Sequence, residues 1–461
     1  MSTDTGHIIK ELPDDPPQDV LFNNLYGLRT VELNRPEKLN ALNGSMIRKI
    51  VPRLVEWEKS DMANVIVMKG AGDKAFCAGG DVAALAVQNQ EGPEGQKQSS
   101  DYFALEYKLD HYIATYKKPY IAFMDGYTMG GGVGLSIHAP FRIATERTIF
   151  AMPETTIGFF PDVGASFFLP RLPGAVGTYL ALTSDRLSGA NVFYSGIATH
   201  YLHSTSLPNL ESRLAELRFK DYYSMEERLS IIEMTIEEYV TGLPHNEPIH
   251  LAGELRNAID RCFSGSSVPE IIAALKLEDG ATKEWAEKTL HTLHQRSPTS
   301  VYVAHEQMKI GKDWSIAETF KREHQIAAKF MQHPDFVEGV DARLIAEEKR
   351  TPKWQPATLE DVRPSDELAD PFFMKSKDVP ELELLNDVDY AEYPFASFGV
   401  PTEAEVEEVV NEGKRSKREV RDEFVKRKRG RQGIRAIVDE ILARKTRETP
   451  EGRAVWIYEG I

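Results

Sequence analysis

The chain has 461 residues, 41% of them hydrophobic, and a formal net charge of −16. This length and composition are typical of a globular protein with two or three domains, and the acidic balance argues against nucleic-acid binding by the chain as a whole. Its two cysteines exclude a disulfide scaffold and CxxC metal sites, and no apolar run approaches the ~18 residues of a membrane helix. We therefore expect neither a resident metal nor a membrane span.

The first elements follow a polar lead-in, residues 1–19, which is rich in Asp and Pro and which we expect to be flexible. The lead-in has neither the Arg-rich pattern of a transit peptide nor the apolar core of a signal peptide. Two short alternating segments predict a hairpin over Val20–Asn34. Apolar spacing then predicts an amphipathic helix from Met46 to Trp57, and a buried strand is expected over Asn64–Met68.

A glycine-containing loop comes next, with the sequence FCAGGD at residues 76–81. A helix is expected after this loop with Asp81 as its cap, and the backbone N–H of Gly80 would then face an incoming oxygen atom. Cys77 has no neighbouring His or Lys that would lower the pKa of its thiol. A buried structural role is therefore favoured over a nucleophilic one for this cysteine.

The stretch before the next strand divides into two parts. Residues 89–100 contain Gly, Pro and polar side chains and are interpreted as a loop. The pattern over Tyr102–Tyr116 predicts a helix, and this helix carries Glu106. A solvated face is the simpler interpretation of Glu106, but the helix runs directly into a buried strand, which also favours a position facing a site.

The stretch Tyr120–Phe168 carries the strongest functional signal. A glycine cluster, GGGVG at 130–134, is expected to open a short helix that ends near His138. Two acids, Glu154 and Asp162, lie near prolines at the end of the stretch. Strands are predicted on either side of the cluster, at Tyr120–Met124, Phe141–Thr145 and Ile149–Ala151.

This arrangement suits acyl chemistry. Glycines between a strand and a helix let backbone N–H groups point at a developing oxyanion, and Glu154 is a candidate base or nucleophile. Tight packing of the helix against the strand is the alternative interpretation of the glycines. The cluster lacks the GxGxxG spacing with a later acid and lacks Gly-Lys-Ser/Thr, so both nucleotide-binding interpretations are discounted.

The C-terminal half changes character twice. Residues 206–355 are predicted to be mostly helical, and 356–412 form an acidic, Pro-rich, linker-like stretch. Residues 413–461 are predicted to form a basic helical extension. Within it, Lys414–Arg435 holds eleven Lys/Arg against three Asp/Glu. This segment is interpreted either as a solvated helix with i,i+4 ion pairs or as an arm that docks on RNA or a ribosome, and the pattern favours neither.

Seven segments together resemble the crotonase (enoyl-CoA hydratase/isomerase) superfamily and, within it, the 3-hydroxyisobutyryl-CoA hydrolases. They are LNRPEKLNAL at 33–42, FCAGGD at 76–81, MGGGVGLSIH at 129–138, AMPETTIGFFPDVG at 151–164, GIATH at 196–200, SPTS at 297–300 and DFVEGVDARL at 335–344. The resemblance implies an α/β fold with a crotonase-type ββα spiral core, placed at residues 20–205, and a homo-oligomer.

The same resemblance implies the site. It assigns the oxyanion hole to the N–H groups of Gly80 and Gly131, and catalysis to Glu154 and Asp162. Substrate binding is assigned to Glu106, Gly131, Glu154 and Asp162, and CoA binding to Lys38, Leu39, Ala41 and Ala78. Hydratases of the superfamily carry a second catalytic Glu where this chain has Gly134, so hydrolysis is expected rather than hydration. Whether Glu154 attacks as a nucleophile or activates water is left open.

The implied substrate is an acyl-CoA, and 3-hydroxyisobutyryl-CoA of valine degradation is the acyl-CoA that the resemblance implies most strongly. No cofactor is expected beyond the coenzyme A of the substrate. The resemblance also implies a location in the mitochondrial matrix. The basic extension resembles one carried by hydrolase-like proteins of some mitochondrial small ribosomal subunits. The alternative function is therefore a structural part of that subunit, with ribosomal RNA or ribosomal proteins contacting Lys414–Arg435.

Overall fold

The computed structural model describes residues 9–363 and 367–458, so the first eight residues of the predicted lead-in lie outside the described residues. The rest of the lead-in is tied to the first helix of the protein, because Asp15 pairs with Arg48 at 2.5 Å and Asp19 with Lys49 at 2.6 Å. The strands, in chain order, are β1 (Val20–Leu25), β2 (Leu28–Leu33), β3 (Val65–Gly70), β4 (Ala75–Cys77), β5 (Tyr120–Met124), β6 (Tyr127–Met129), β7 (Phe141–Ala144), β8 (Ile149–Ala151), β9 (Leu187–Ser188), β10 (His200–Tyr201), β11 (Thr446–Glu448) and β12 (Ala454–Trp456).

Two sheets form the core. The larger has the order β1-β2-β3-β5-β7-β10, in which β1 and β2 pair antiparallel and the other neighbours pair parallel. The smaller has the order β4-β6-β8-β9, with only its last pair antiparallel. Each long strand β3, β5 and β7 is followed by a short strand of the other sheet, and helices follow β4 and β6. This repetition is the predicted ββα spiral, which the structure confirms.

Strand β5 illustrates why buried strands of the core have continuous apolar sequences. All five of its residues are buried. Tyr120 and Ala122 join one hydrophobic cluster, whereas Ile121 and Phe123 join another on the opposite face of the sheet. A parallel sheet covered on both faces needs no polar side chain on either. The strand therefore fixes the position of the glycine cluster that follows it.

The helices of the core are α1 (Gly44–Lys59), α2 (Val82–Asn89), α3 (Pro93–Ala114), α4 (Gly131–Ile137), α5 (Ala165–Phe168), α6 (Val176–Thr183) and α7 (Ala190–Tyr194). Helix α1 is capped by the side chain of Asn43, which accepts a hydrogen bond from the N–H of Met46 at 2.9 Å. It continues through Pro52. Short 3₁₀ helices lie at Pro36–Lys38, Glu154–Ile157, Leu169–Arg171, Ser204–Ser206, Gly280–Thr282, Leu359–Asp361 and Ala396–Phe398.

The interpretation of residues 89–100 as a loop is wrong, because α3 begins at Pro93. Proline suits the first helical position, where its missing N–H is not needed. The buried side of this first part of α3 carries Gly95 and Ser99, four residues apart. These small residues give no apolar periodicity, so the pattern did not predict the helix. The prediction also omitted the short strand β6.

The predicted cap of α2 is only partly right. Asp81 occupies the N-cap position, but its side chain makes no capping hydrogen bond. Its carboxylate instead accepts a hydrogen bond from Arg35 at 2.8 Å and lies 3.6 Å from Lys38. This ion pair joins the loop after β4 to the segment that precedes α1.

The helical region packs against the spiral core. Its members are α8 (Leu207–Ala215), α9 (Met225–Glu237), α10 (Gly253–Phe263), α11 (Val268–Leu277), α12 (Lys283–His294), α13 (Pro298–Gly311), α14 (Ile316–Gln332) and α15 (Pro334–Val340), followed by a π-helical turn at Asp341–Ile345. Helix α16 (Asp370–Phe373) follows in the acidic stretch. Helix α14 packs along α3 over much of its length. This packing brings the helical region to the site described below.

The acidic stretch and the basic extension both lie on the body of the protein. Between α16 and α17 (Glu403–Asn411) the chain is irregular, yet Leu382 and Phe398 are buried. Helices α18 (Lys417–Arg427) and α19 (Ile434–Lys445) bury Phe424 and Val438 in the same hydrophobic cluster as residues of the spiral core. None of the helices that the structure describes is long and apolar enough to cross a bilayer.

Candidate active site

The two predicted oxyanion loops lie side by side. A parallel bridge joins Leu42 to Gly80 and uses the N–H groups of Leu42 and Asp81, not that of Gly80. Gly131 is the first residue of α4, so its N–H has no acceptor within that helix. A Cβ added to Gly131 would lie 3.3 Å from the backbone nitrogen of Gly80. The structure therefore brings these two glycines together, as an oxyanion hole requires.

Helix α3 lays a row of polar side chains over these loops. Tyr102, Glu106 and Asp110 are spaced four residues apart and so lie on one face of the helix. A Cβ on Gly80 would lie 3.0 Å from the hydroxyl of Tyr102, and a Cβ on Gly131 would lie 2.5 Å from Oε1 of Glu106. Any side chain at position 131 would therefore displace the carboxyl of Glu106.

Glu106 faces the site and not solvent. Its side chain is buried, and its Oε1 has no hydrogen-bond partner among the residues that the structure describes. Burial raises the pKa of Glu106 well above its usual range, and the nearby Asp162 raises it further. Of the two positions considered for Glu106, the structure gives the one that faces the site.

Glu154 is the acid that lies against the glycine cluster. It begins a 3₁₀ helix directly after Pro153, and its Oε1 lies 3.0 Å from the Cβ position of Gly130. Its other oxygen, Oε2, is buried with no partner in the described part of the chain. Burial raises the pKa of Glu154 well above its usual range, and the charge of Asp162 adds to this. Glu154 is thus a buried carboxyl with one oxygen unpartnered in the described structure, beside the two loops that carry Gly80 and Gly131.

Asp162 is held in a different way. The hydroxyl of Tyr107 donates a hydrogen bond to its Oδ2 at 2.7 Å. Burial raises the pKa of Asp162 to about 7, and the hydrogen bond from Tyr107 opposes that rise. Two neighbouring carboxylates in an apolar site cannot both ionise without cost, so the environments of Glu154 and Asp162 separate their pKa values.

The loop that carries Asp162 is fixed from the helical region. The carboxylate of Glu323, on α14, accepts hydrogen bonds from the N–H groups of Gly164 at 2.7 Å and Ser166 at 2.9 Å. Burial raises the pKa of Glu323 to about 8. On α13, the side-chain amide of Gln307 donates to the carbonyl of Pro161 at 2.5 Å. Residues far along the chain therefore set the position of this acid.

The four residues assigned to CoA also come together. The N–H of Ala78 donates to the carbonyl of Leu39 at 3.0 Å, which places Lys38–Ala41 directly beside the first oxyanion loop. Leu39 has a positive φ of 51°, and the side chain of Lys38 is more than half exposed. These positions form one edge of the site, and their role in CoA binding stays a prediction.

The structure adds residues that sequence reasoning missed. Tyr107 and Asp110 lie on the helix that was predicted to carry Glu106. Asp110 follows Glu106 by four residues, and this helical spacing is the signal that could have identified it. Glu323 and Gln307 gave no local signal, because only the packing of the helical region brings them to the site. Cys77 is fully buried with its pKa raised to about 12 by burial, in agreement with a structural role.

A separate cavity of 530 Å³ lies between the spiral core and the C-terminal extension. Its lining includes Arg142, Arg256 and Ile437, and none of the predicted site residues. The guanidinium of Arg142 donates to the carbonyls of Ala139 and Ile197, and that of Arg256 to Asp260. The polar groups of this cavity are thus engaged with the protein itself, unlike Glu154.

Known proteins are similar to this chain over most of its length. A relative from Neurospora crassa named "Small ribosomal subunit protein mS47" is 61% identical over 95% of this chain and 88% of its own length. The "3-hydroxyisobutyryl-CoA hydrolase, mitochondrial" of Gallus gallus is 43% identical over 78% of this chain and 89% of its own length. The crystal structure of a carnitinyl-CoA dehydratase from Mycobacterium thermoresistibile matches with a TM-score of 0.69, at 32% identity, over 80% of this chain and all of that one.

A family model described as enoyl-CoA hydratase/isomerase matches residues 28–373, which include both core sheets except strand β1, the oxyanion loops and the acids. The family expected from the seven sequence segments is therefore confirmed. This chain belongs to the enoyl-CoA hydratase/isomerase family.

Proposed function

We propose that the protein hydrolyses CoA thioesters of 3-hydroxy acids, with 3-hydroxyisobutyryl-CoA as the substrate and 3-hydroxyisobutyrate and CoA as the products. The observation that carries this proposal is the buried carboxyl of Glu154, whose Oε2 has no partner among the described residues, beside the loops of Gly80 and Gly131. Relatives named as 3-hydroxyisobutyryl-CoA hydrolases, 43% and 44% identical, support the choice of reaction and of acyl group.

The reaction follows from these groups. The thioester oxygen accepts hydrogen bonds from the N–H groups of Gly80 and Gly131, which stabilise the oxyanion as the carbonyl carbon is attacked. In one route a carboxylate oxygen of Glu154 attacks, the C–S bond breaks, and water then cleaves the resulting mixed anhydride. In the other route Glu154 takes a proton from water, the hydroxide attacks, and the proton passes to the departing thiolate.

The second catalytic acid of the family's hydratases is absent at position 134, where this chain has glycine. A Cβ at this position would lie 2.6 Å from an oxygen of Asp110 and 2.8 Å from the Cβ of Val163, so there is no room for a side chain. Position 134 therefore supplies no carboxylate to pair with Glu154, as hydration of a double bond in this family requires. We assign Asp162, which takes the hydrogen bond of Tyr107, to orienting the substrate hydroxyl.

The purified chain tests this proposal directly. We expect release of CoA from 3-hydroxyisobutyryl-CoA, followed with a thiol reagent, to exceed the hydration of crotonyl-CoA, followed by loss of enoyl absorbance. Faster turnover of crotonyl-CoA than of the hydroxyacyl thioester would overturn the assignment. The absence of both reactions would also overturn it.

A second function is favoured by a specific observation. The match to the Neurospora crassa relative named as a small ribosomal subunit protein covers 95% of this chain and so includes part of the basic extension. The hydrolase relatives cover 72–80%, and a Schizosaccharomyces pombe relative with the same ribosomal name covers 73%. We propose that the extension contacts ribosomal RNA or ribosomal proteins. Co-sedimentation of the native protein with the small ribosomal subunit at moderate salt would support this. A native protein found only at the top of the gradient would contradict it.

The relatives named as mitochondrial support a mitochondrial location, and we propose the matrix as the compartment. We also propose a homo-oligomer, as the family resemblance implies. Light scattering on the purified chain measures the oligomeric state, and a monomer at micromolar concentration would contradict it.

A further inference from the structure

Asp110 is a fully buried acid of the site and has no role in the reaction described above. It lies on α3, one turn beyond Glu106, with no exposed surface. Both of its carboxyl oxygens lack a hydrogen-bond partner among the described residues. A buried carboxyl with both oxygens unpartnered is costly to fold, so its retention needs a reason.

The position of this carboxyl is defined by Gly134. A Cβ built on Gly134 would lie 2.6 Å from Oδ2 of Asp110 and 2.9 Å from its Cγ. The carboxyl of Asp110 thus occupies the space into which a side chain at position 134 would extend. This space is filled by a side chain of α3 and not by one of α4.

The order of Tyr102, Glu106 and Asp110 along α3 indicates which way the substrate lies in the site. Tyr102 lies at Gly80, next to the edge formed by Leu39 and Ala78, and Glu106 lies at Gly131 in the oxyanion hole. Four residues of helix advance about 6 Å, so Asp110 lies one turn farther from the CoA edge. The row therefore passes from the CoA end, past the thioester, to the acyl end of the site.

The protonation of this acid differs from that of Asp162. Burial raises the pKa of Asp110 well above its usual range, and Glu106, Asp162 and Glu323 raise it further. Of the two acids, Asp110 is therefore the one that keeps its proton more readily and is suited to donate a hydrogen bond. Asp162, with the hydrogen bond of Tyr107, ionises more readily and can accept one. A hydroxyl group, which donates once and accepts twice, is complementary to this pair.

We propose that Asp110 is a specificity-determining residue that hydrogen-bonds the hydroxyl of the 3-hydroxyacyl group, on the side opposite Asp162. This inference rests on the proposed function for the class of substrate. Space filling alone is the rival explanation, and an apolar side chain of the same size would serve that purpose equally well. The rival therefore predicts no dependence on the substrate hydroxyl.

The test compares Asp110→Leu with Asp110→Asn, which have similar sizes but differ in hydrogen bonding. The readout is the ratio of kcat/KM for 3-hydroxyisobutyryl-CoA to that for isobutyryl-CoA, which lacks the hydroxyl. We expect Asp110→Leu to lower this ratio about tenfold, as the loss of one neutral hydrogen bond predicts. Asp110→Asn, whose amide both donates and accepts, should lower it less than about threefold.

A matched control is Ser99→Ala, which removes another buried polar group from the same helix. It should leave the ratio unchanged, and circular dichroism checks that each variant is folded. An unchanged ratio in Asp110→Leu, or equal losses in the Leu and Asn variants, would overturn the proposal.

A binding measurement distinguishes failure of the proposed role of Asp110 from failure of the proposed hydrolase function. Calorimetry with thioether analogues of the two acyl-CoA molecules, which cannot be hydrolysed, reports the preference for the hydroxyl without turnover. A preference that Asp110→Leu removes, in a chain that hydrolyses nothing, would refute the hydrolase function and support the role of Asp110. A wild-type chain that binds both analogues equally, or neither, would overturn the role of Asp110.

Discussion

The candidate active site and the basic extension both bury ionisable groups, but the two regions differ in whether those groups have hydrogen-bond partners. At the site, Glu154 and Asp110 leave carboxyl oxygens without partners in the described structure. In the extension, the buried guanidinium of Arg431 donates to the carbonyls of Thr199 and Phe398 and pairs with Glu233. Unpartnered buried groups are available to a ligand, whereas partnered ones hold the chain together.

This contrast changes the interpretation of the basic segment. The excess of eleven cations over three anions suggested either a self-paired helix or an arm. The structure shows the predicted i,i+4 ion pairs in α18, between Arg418 and Asp422 and between Glu423 and Arg427, and it also shows that part of the segment folds onto the body. Lys428 donates to the carbonyls of Ser397 and Gly399, outside the extension, whereas Lys417 donates to those of Leu442 and Thr446, within it. The cations thus serve two purposes, attachment to the core and exposure to solvent.

The largest effect is expected from removing the reactive group of the site. Glu154→Gln keeps the size of the side chain but is neither nucleophilic nor basic, so hydrolysis should fall by about 10³-fold or more. The melting temperature should not fall, because Oε2 has no partner to lose. Release of CoA and thermal unfolding measure the two quantities. A variant within about threefold of the wild-type kcat would exclude a catalytic role for Glu154.

The matching change in the extension should have the opposite outcome. Arg431→Met leaves Glu233, Glu237 and two carbonyls without their donor, so the free energy of unfolding should fall by about 3–5 kcal/mol. Hydrolysis by the folded protein should persist, because Arg431 touches none of the site residues. Urea unfolding measures the loss, with Arg429→Met as the control, since that exposed neighbour makes a single long hydrogen bond to Ser230. Equal stability of both variants would show that the attachment of the extension does not depend on Arg431.

The parts predicted from the sequence are those set by local pattern. The strand over Tyr120–Met124 was predicted because every residue is apolar, and the site glycines because they interrupt such runs. The start of α3 was missed because its buried side carries the small residues Gly95 and Ser99, which give this segment the composition of a loop. Glu323 was missed for a different reason, since its contact with Gly164 crosses 159 residues of chain and no local spacing encodes it.

The acids of the site should also make stability depend on pH. The pKa of Asp162 is raised from 3.8 to about 7 in the folded protein, so the folded state holds its proton more tightly than the unfolded one. The resulting penalty is absent below about pH 4, grows as the pH rises, and is complete above about pH 7. Asp162→Asn removes this penalty. We therefore expect the variant to melt at a higher temperature than the wild type at pH 8 and to lose most of that advantage at pH 4.5. A larger advantage at pH 4.5 than at pH 8 would contradict the direction of the shift.

The smallest expected effect is a change in RNA binding when exposed cations of the extension are replaced. Lys414, Lys426 and Arg435 are exposed and have no ion-pair partner among the described residues. Deleting the whole extension is a poor test, because Val420 and Phe424 would leave an apolar surface uncovered on the core. Replacing the three cations with Gln changes charge alone, so it isolates the contact with a polyanion from the attachment to the body.

If these three side chains contact RNA, each phosphate they neutralise contributes about 0.7–0.9 to the slope of log K against log salt, so the triple variant should flatten the slope by about 2–3. Filter binding to a structured RNA at several salt concentrations measures this. The control replaces Lys97, Lys283 and Lys288, exposed lysines on α3 and α12, with Gln. It removes the same net charge, so a general electrostatic effect would flatten both slopes equally. A change confined to the extension would instead mark these cations as a docking surface, separate from the buried ones that hold the extension in place.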